Sequence, residues 1–476
     1  MKATRREFFA GAAAIGLLPV DGARAQAIAF TPEQFGAKGD GRTNDTDAFA
    51  ALSAAVNARG GGTVVLRPVT YIVGKQGAAG SPDPGARRPM GFPPARILHF
   101  ERCAGPVVIR GNGARLRCAA GLRFGSFDPL TGMATALQEG KKASRGELAS
   151  PYQAMILVDS CSGPVEISDI ELDGNLAALR LGGKSVKAGW QIAADGIRLL
   201  DNKGPERLLR IHSHHHAHDG LYIRGDSGRL AASTVSELTS DHNGRQGCSL
   251  VGGRNYSFRS CRFLSTGKGG LRSSPGAGVD IEPHAGRPVR NVSFSGCEFA
   301  DNAGVGLIAD SGDSEGARFD NCRFIGTTSW SAWPNKPAMG FTKCLFVGAL
   351  VHAYGDPDPN RAVQFHDCEF RDDPALSPTR EVFGGRGSQH RVAILPKNPN
   401  VLFNRCRFTL THDLILPLSS IAVLYSDCEL SQRSPVHSRL NGTFLGTNRL
   451  TGNIDLGSSV IRGEVILNGR TLARTR

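Results

Sequence analysis

Phe294-Ser295-Gly296-Cys297-Glu298-Phe299 and Phe319-Asp320-Asn321-Cys322-Arg323-Phe324 state one pattern: an aromatic residue, two residues, cysteine, one residue, an apolar residue. It recurs at Phe258/Cys261/Phe263, Phe341/Cys344/Phe346, Phe365/Cys368/Phe370, Phe403/Cys406/Phe408 and Tyr425/Cys428/Leu430. Successive cysteines stand 36, 25, 22, 24, 38 and 22 residues apart. A unit of 22–25 residues, lengthened where loops are inserted, is the mark of coils stacked into a solenoid. Earlier stretches keep the same columns with aliphatic residues, as at Ile167/Ile170/Leu172.

In such a stack each inward side chain lies about 4.8 Å from its counterpart on the next coil, so like residues pile into ladders. The predicted fold class is therefore all-β: a single-stranded right-handed parallel β-helix with an N-terminal amphipathic capping helix. The eleven cysteines fit a buried ladder, since the count is odd, no Cys-x-x-Cys pair occurs and a free thiol packs as a small apolar group. One or two disulfides are the alternative. The 60 glycines and 5 methionines suit many turns and short strands.

The organisation expected is a signal peptide at 1–25, an entry strand and cap at 26–75, the coil stack at 76–455 and a C-terminal cap at 456–476. Within 26–75, Phe49, Leu52, Ala55 and Val56 lie at helical spacing and should cover the open edge of the first coil. Loop insertions are expected near 76–96, 121–150, 331–338 and 371–390; in a solenoid, long loops flank the working groove.

Arg5 and Arg6 precede an apolar run from Ala10 to Leu18, and Ala23-Arg24-Ala25 offers a small-residue cleavage site. This predicts a twin-arginine signal, a periplasmic or secreted address and the twin-arginine export machinery as a partner, because the apolar run is too short to span a bilayer. Cleavage would leave +11 of the +13 net charge. A basic exported protein attracts polyanions, and the address favours an acidic polysaccharide over nucleic acid. The arginines are dispersed, so a merely solvated basic surface is equally compatible. No membrane span is expected in the mature chain.

Phe35-Gly36-Ala37-Lys38-Gly39-Asp40-Gly41-Arg42-Thr43-Asn44-Asp45-Thr46, the helix, and Gly60-Gly61-Gly62-Thr63-Val64-Val65-Leu66 together resemble the entry segment of the pectate-lyase-like superfamily. That superfamily includes polygalacturonase-type hydrolases, polysaccharide lyases and mannuronan C5-epimerases. The resemblance implies the coil fold and a polysaccharide substrate, and points to a fold better than to a reaction.

A second column precedes the Phe/Cys one: Asp195-Gly196-Ile197, Asp219-Gly220-Leu221, Gln246-Gly247-Cys248, Ala277-Gly278-Val279 and Val305-Gly306-Leu307. Each opens a short strand of one parallel sheet. Period-two alternation sends Ile197, Leu199, Leu221, Ile223, Cys248, Leu250, Val279, Ile281, Leu307 and Ala309 inward. Asp195, Arg198, Asp219, Tyr222, Arg224, Gln246, Ser249, Asp280, Glu282 and Asp310 then face outward as a candidate saccharide groove, although a solvated face would have a similar composition.

Asp280 and Glu282, two residues apart on a strand, have Cα atoms about 6.6 Å apart, a spacing open to either retaining or inverting glycoside hydrolysis. Asp310 one rung away would raise a neighbour's pKa, leaving one carboxyl as acid and another as base; pairing with arginines is the plain structural alternative. The predicted catalytic set is Asp280, Glu282, Asp219, Asp310 and His284, with Arg224, Arg245, Tyr222, Arg198, Asp195 and His218 binding substrate. His212-Ser213-His214-His215-His216-Ala217-His218 is the densest histidine cluster. Imidazole suits zinc, copper or nickel, but neighbours on an extended segment point opposite ways, so no metal is assigned; His216 or His218 remain candidates for proton transfer.

Tested against the resemblance, only Ala194-Asp195-Gly196 approximates the Asn-Thr-Asp-Gly of polygalacturonase-type hydrolases. Their double Asp is missing at the matching place, and Gly-His-Gly and Arg-Ile-Lys are missing altogether. Glu282-Pro283-His284 is similar to the Asp-Pro-His of mannuronan epimerases, with Glu for Asp and further along the chain. Ile170-Glu171-Leu172-Asp173-Gly174-Asn175 matches a strand-turn phrase of these families and reads as structural. The leading expectation is a glycoside hydrolase without a cofactor. The rivals are a lyase or epimerase acting on a uronate polymer, with His284, His218, Tyr222 or an arginine as base and Ca²⁺ or arginine on the carboxylate, and a non-catalytic carbohydrate-binding β-helix.

Overall fold

The computed structural model describes residues 29–78, 90–135, 145–184, 188–226, 228–385, 390–433 and 435–474. Its strands wind into coils of three parallel sheets. Sheet 1 runs through Leu98–Glu101, Ala154–Asp159, Asp195–Leu200, Asp219–Arg224, the first half of Gln246–Arg259, Ala277–Ile281, Leu307–Ala309 and Ala332–Pro334. Sheet 2 pairs Ile167, Leu208, Val235, Phe258, Phe294, Phe319, Phe341, Phe365, Phe403, Tyr425 and Phe444 in register. Sheet 3 does the same for Phe263, Phe299, Phe324, Phe346, Phe370, Phe408 and Leu430. The aliphatic coils thus continue the aromatic columns.

The rings stack face to face, Phe294 on Phe319 at 5.0 Å and Phe319 on Phe341 at 4.8 Å, while the two ladders meet edge to face. Such pairs add roughly 0.5–1.5 kcal/mol each beyond burial. All eleven cysteines are free and buried. From Cys297 to Cys428 each thiol reaches the carbonyl of a ladder aromatic on the preceding coil, Cys344 to Phe319 at 3.5 Å and Cys428 to Phe403 at 3.2 Å. The residue before each of these thiols turns the corner from sheet 2 to sheet 3 in the left-handed region: Gly296 has φ 61°, and Asn321, Lys343, Asp367, Arg405 and Asp427 all have φ between 50° and 55°. That conformation is costly away from glycine, and here the ladder hydrogen bonds on both sides hold it.

Helix α1, Thr46–Ala58, covers the first coil with Phe49, Leu52 and Val56 fully buried, Phe49 meeting Tyr71 edge-on at 5.2 Å. The Asp45 carboxylate takes the backbone N–H groups of Lys38 and Gly39, folding the glycine-rich entry loop onto the helix start. Residues 331–338, read from the sequence as a loop, contribute the sheet-1 strand Ala332–Pro334 instead, because Ala332 continues the inward apolar column. Parallel pairing persists through Glu464–Leu467, onto which Arg470–Arg474 folds antiparallel. Residues 1–28, with the expected signal peptide, lie outside the described residues, as do parts of the segments expected near 76–96, 121–150 and 371–390. Among the described residues no helix is long and apolar enough to cross a membrane.

Candidate active site

The sheet-1 register aligns the predicted groove residues that lie within strands, with Arg224 at a register shift and Glu282 and Asp310 just beyond their strand ends. Ile197, Leu199, Leu221, Ile223, Cys248, Leu250, Val279, Ile281, Leu307 and Ala309 point inward and are fully buried. The Gly column lets this sheet close on its neighbours: a Cβ on Gly196 would stand 2.0 Å from Ser213 Oγ, and one on Gly220 2.0 Å from Ser240 Oγ. Successive rungs then align Asp195, Asp219 and Gln246 in one outward row and Arg198, Tyr222, Ser249 and Asp280 in the next.

The upstream half is an ion-pair network in which each carboxylate has an arginine close by, although Asp219 Oδ1 is buried with no hydrogen-bond partner. Asp195, wholly buried, accepts from His218 Nδ1 at 2.7 Å and from the Asp219 N–H at 3.2 Å, and lies 2.7 Å from Arg198 Nε. Burial opposes its ionisation, but Arg198 and His218 outweigh this and draw its pKa down to about 2. The Arg198 guanidinium covers the Tyr222 ring at 4.2 Å, and burial pushes the Tyr222 hydroxyl above its ordinary value. Asp219 accepts from Arg245 at 2.9 Å and Ser249 at 2.6 Å. Asp195, His218 and Asp219 also bring ligand atoms within 4.8 Å of one another, but Arg198 and Arg245 already bring positive charge to both carboxylates.

The downstream half differs. Asp280 is 3% exposed; its Oδ2 takes the Gln246 amide, and its Oδ1 is buried with no hydrogen-bond partner. Burial chiefly, then the negative charge of Glu282, Asp310 and Asp219 against the pull of Arg245, raises its pKa from 3.8 to about 8. Glu282 and His284 follow on the same strand end and are exposed, while Asp310 ends the next strand half-exposed. Burial, and the nearby Arg224, Arg245 and Arg287, hold the His284 imidazole below its ordinary value against the pull of Glu282.

Three expected roles change. Arg245 Nη1 is committed to Asp219 and Gln246 rather than left open for a sugar carboxylate. Arg224 binds Asp201 at 2.6 Å, and Arg287 grips the same carboxylate. His216 lies inside the coil, fully buried, its Nδ1 2.9 Å from the Tyr152 hydroxyl, and desolvation lowers its pKa to about 3, which removes it from proton transfer at the surface. Sequence reasoning put Gln246 and Ser249 on the strip but gave them no role; their contacts to Asp280 and Asp219 show one. It missed Asp201, which sits at a left-handed turn after its strand and breaks the period-two count.

Residues 154–370 match the family model described as a right handed beta helix region. The fold is a right-handed parallel β-helix. Among solved structures, this β-helix is similar to the N-terminal fragment of gene product 12 of bacteriophage Phi29, at 12% identity over 92% of this chain and 70% of that one, with a TM-score of 0.50. It also aligns with the A-module of a mannuronan C-5 epimerase from Azotobacter vinelandii, at 15% identity over 94% of this chain and all of that one, TM-score 0.45. A hyperthermoactive exopolygalacturonase from Thermotoga maritima aligns at 12% identity, over 94% of this chain and 93% of that one, TM-score 0.34. No curated protein sequence matches the chain.

Proposed function

We propose that this β-helix is a polysaccharide-processing enzyme, and that its groove hydrolyses a glycosidic bond with Asp280 as general acid. The single observation carrying the reading is Asp280 itself: a buried carboxyl with an unpartnered oxygen, raised to about 8 by burial and three neighbouring acids. A carboxylic acid that keeps its proton at neutral pH can donate it to a departing glycosidic oxygen. Glu282, exposed two residues on, is the partner carboxylate that activates water or attacks the sugar. Asp310 and Asp219 keep the field negative, while Gln246 and Ser249 fix the carboxyls in place. A strip shared by successive rungs, about 4.8 Å apart, suits an extended chain better than a small molecule, and the +13 charge favours an acidic one.

One observation favours a second reading. His284 is exposed, held toward its neutral form and ringed by Arg224, Arg245 and Arg287, as a base removing the proton beside a uronate carboxylate would be. On that reading the product is unsaturated or epimerised, and Ca²⁺ is a further requirement that a chelator would reveal. A panel of uronate and neutral polymers separates the two. New reducing ends without ultraviolet absorbance support hydrolysis, an absorbing product supports elimination, and an altered polymer NMR spectrum with neither supports epimerisation. Binding with none of these changes supports a carbohydrate-binding module. Loss of reducing-end formation in both Asp280→Asn and Glu282→Gln is expected; full activity in both removes this site. Export through a twin-arginine signal at residues 1–25 belongs to the same proposal, and Arg5→Lys with Arg6→Lys should retain the protein in the cytoplasm.

A further inference from the structure

A second cluster lies on the sheet-3 face, before the chain turns into sheet 1. Glu206–His214 pairs with Val165–Asp173 so that His212 adjoins Glu171 and His214 adjoins Asp173. His214 would point away from its neighbour in a continuous strand, but His215 takes φ 53°, and this left-handed turn brings both rings to one side. Their Nδ1 atoms stand 2.7 Å apart. Gly174 makes the close approach possible, since a Cβ there would lie 2.3 Å from the His215 carbonyl oxygen.

The protons on these rings can be assigned. His214 Nε2 lies 3.0 Å from Glu171 Oε1, and a carboxylate only accepts, so the His214 proton is on Nε2 and its Nδ1 carries a lone pair. The proton between the two rings therefore belongs to His215. Asp173, 4% exposed, brings Oδ1 to 3.9 Å from His214 Nδ1, where the Asn175 N–H at 2.8 Å takes one of its lone pairs and leaves another, while its Oδ2 is held by Arg115 and Arg117. Behind the two rings stand two others: His212 stacks on His214 at 4.2 Å and His242 on His215 at 4.9 Å. Asp241 grips both backing rings at 2.6 Å, one on each oxygen.

We infer that Asp173 Oδ1, His214 Nδ1 and His215 Nδ1 form a three-ligand site for a divalent transition metal such as Zn²⁺ or Cu²⁺, with Glu171 orienting His214. Two imidazoles and a carboxylate with open positions are a ligand set such ions take. The Glu171–His214 contact is the carboxylate–histidine–metal arrangement that fixes a ligating tautomer. Metal entry replaces the imidazole–imidazole hydrogen bond, and His215 exchanges its Nδ1 proton for one on Nε2 through solvent, leaving both rings neutral. The sheet-1 groove takes no part in this site, so the inference stands apart from the hydrolytic reading.

The test is equilibrium dialysis of the tag-free full chain against Zn²⁺ with metal analysis, beside the electron paramagnetic resonance spectrum of the Cu²⁺-loaded protein. One zinc per chain is expected, lost in His214→Ala, His215→Ala and Asp173→Asn and retained in His218→Ala. Glu171→Gln should weaken binding by about 10–100-fold. The copper spectrum of the unaltered protein should show coupling to two imidazole nitrogens, a readout that no misfolded variant can confuse. Equal zinc in the unaltered protein and His214→Ala, loss in His218→Ala instead, or a copper spectrum without two-nitrogen coupling overturns the inference.

Discussion

From Phe258 to Tyr425 the sheet-2 ladder offers an aromatic ring to an aromatic neighbour on seven consecutive coils. Along the outward strip of sheet 1 the residue changes at every rung: Arg198, Tyr222, Ser249, Asp280, Ile308, Trp333. Repetition is what a stack requires of its interior, because each ring is packed by a copy of itself. A strip that breaks the repeat with a buried acid gives up packing and gains a group of altered acidity. The difference separates residues that hold the molecule up from those that can act on a substrate.

The sharpest way to break that division is at Asp280. Asp280→Asn should lower turnover of the responsive polymer by about 10²–10⁴-fold, the usual worth of a general acid, with an unchanged circular dichroism spectrum. The ladder should behave in the opposite way. Phe319→Ala removes a buried ring stacked on both sides and should cost about 3–5 kcal/mol in denaturant unfolding, while activity below the transition keeps its pH profile.

A pH series sharpens the contrast further. The folded Asp280 pKa is raised from 3.8 to about 8, so its contribution to stability is complete below pH 4 and is lost as pH rises through 8. Asp280→Asn cannot lose it, so its melting temperature relative to the unaltered protein should climb between pH 5 and pH 9. Activity of the unaltered protein should fall over the alkaline end of that range, as the acid loses its proton. The smallest effect belongs to the thiols. With all eleven free, a reductant should leave the melting temperature where it is, and a drop would reveal a disulfide.

How much of this was legible in the sequence follows the same division. The Phe/Cys columns and the sheet-1 alternation could be read because identical residues stack on identical residues at a fixed period. Part of the strip was legible, since period two places Arg198, Tyr222, Ser249 and Asp280 on one side. The partners were not, because pairing crosses rungs: Arg245 reaches Asp219, 26 residues back, and Arg287 reaches Asp201, 86 back. The geometry of the histidine cluster was hidden for a local reason. Opposite-pointing neighbours assume an extended backbone, and nothing in the run of histidines marks His215 as the one that takes the left-handed φ. Residues 331–338 read as a loop because Pro334 and Pro337 masked a three-residue strand.

The proton on Asp280 can be seen without a substrate. Isotope-edited infrared spectra of the carboxyl groups, taken as the difference between the unaltered protein and Asp280→Asn across pH 5–10, report it directly. The account predicts a protonated carboxyl band that persists through neutrality and titrates near pH 8. An Asp280 already ionised at pH 6 would contradict it.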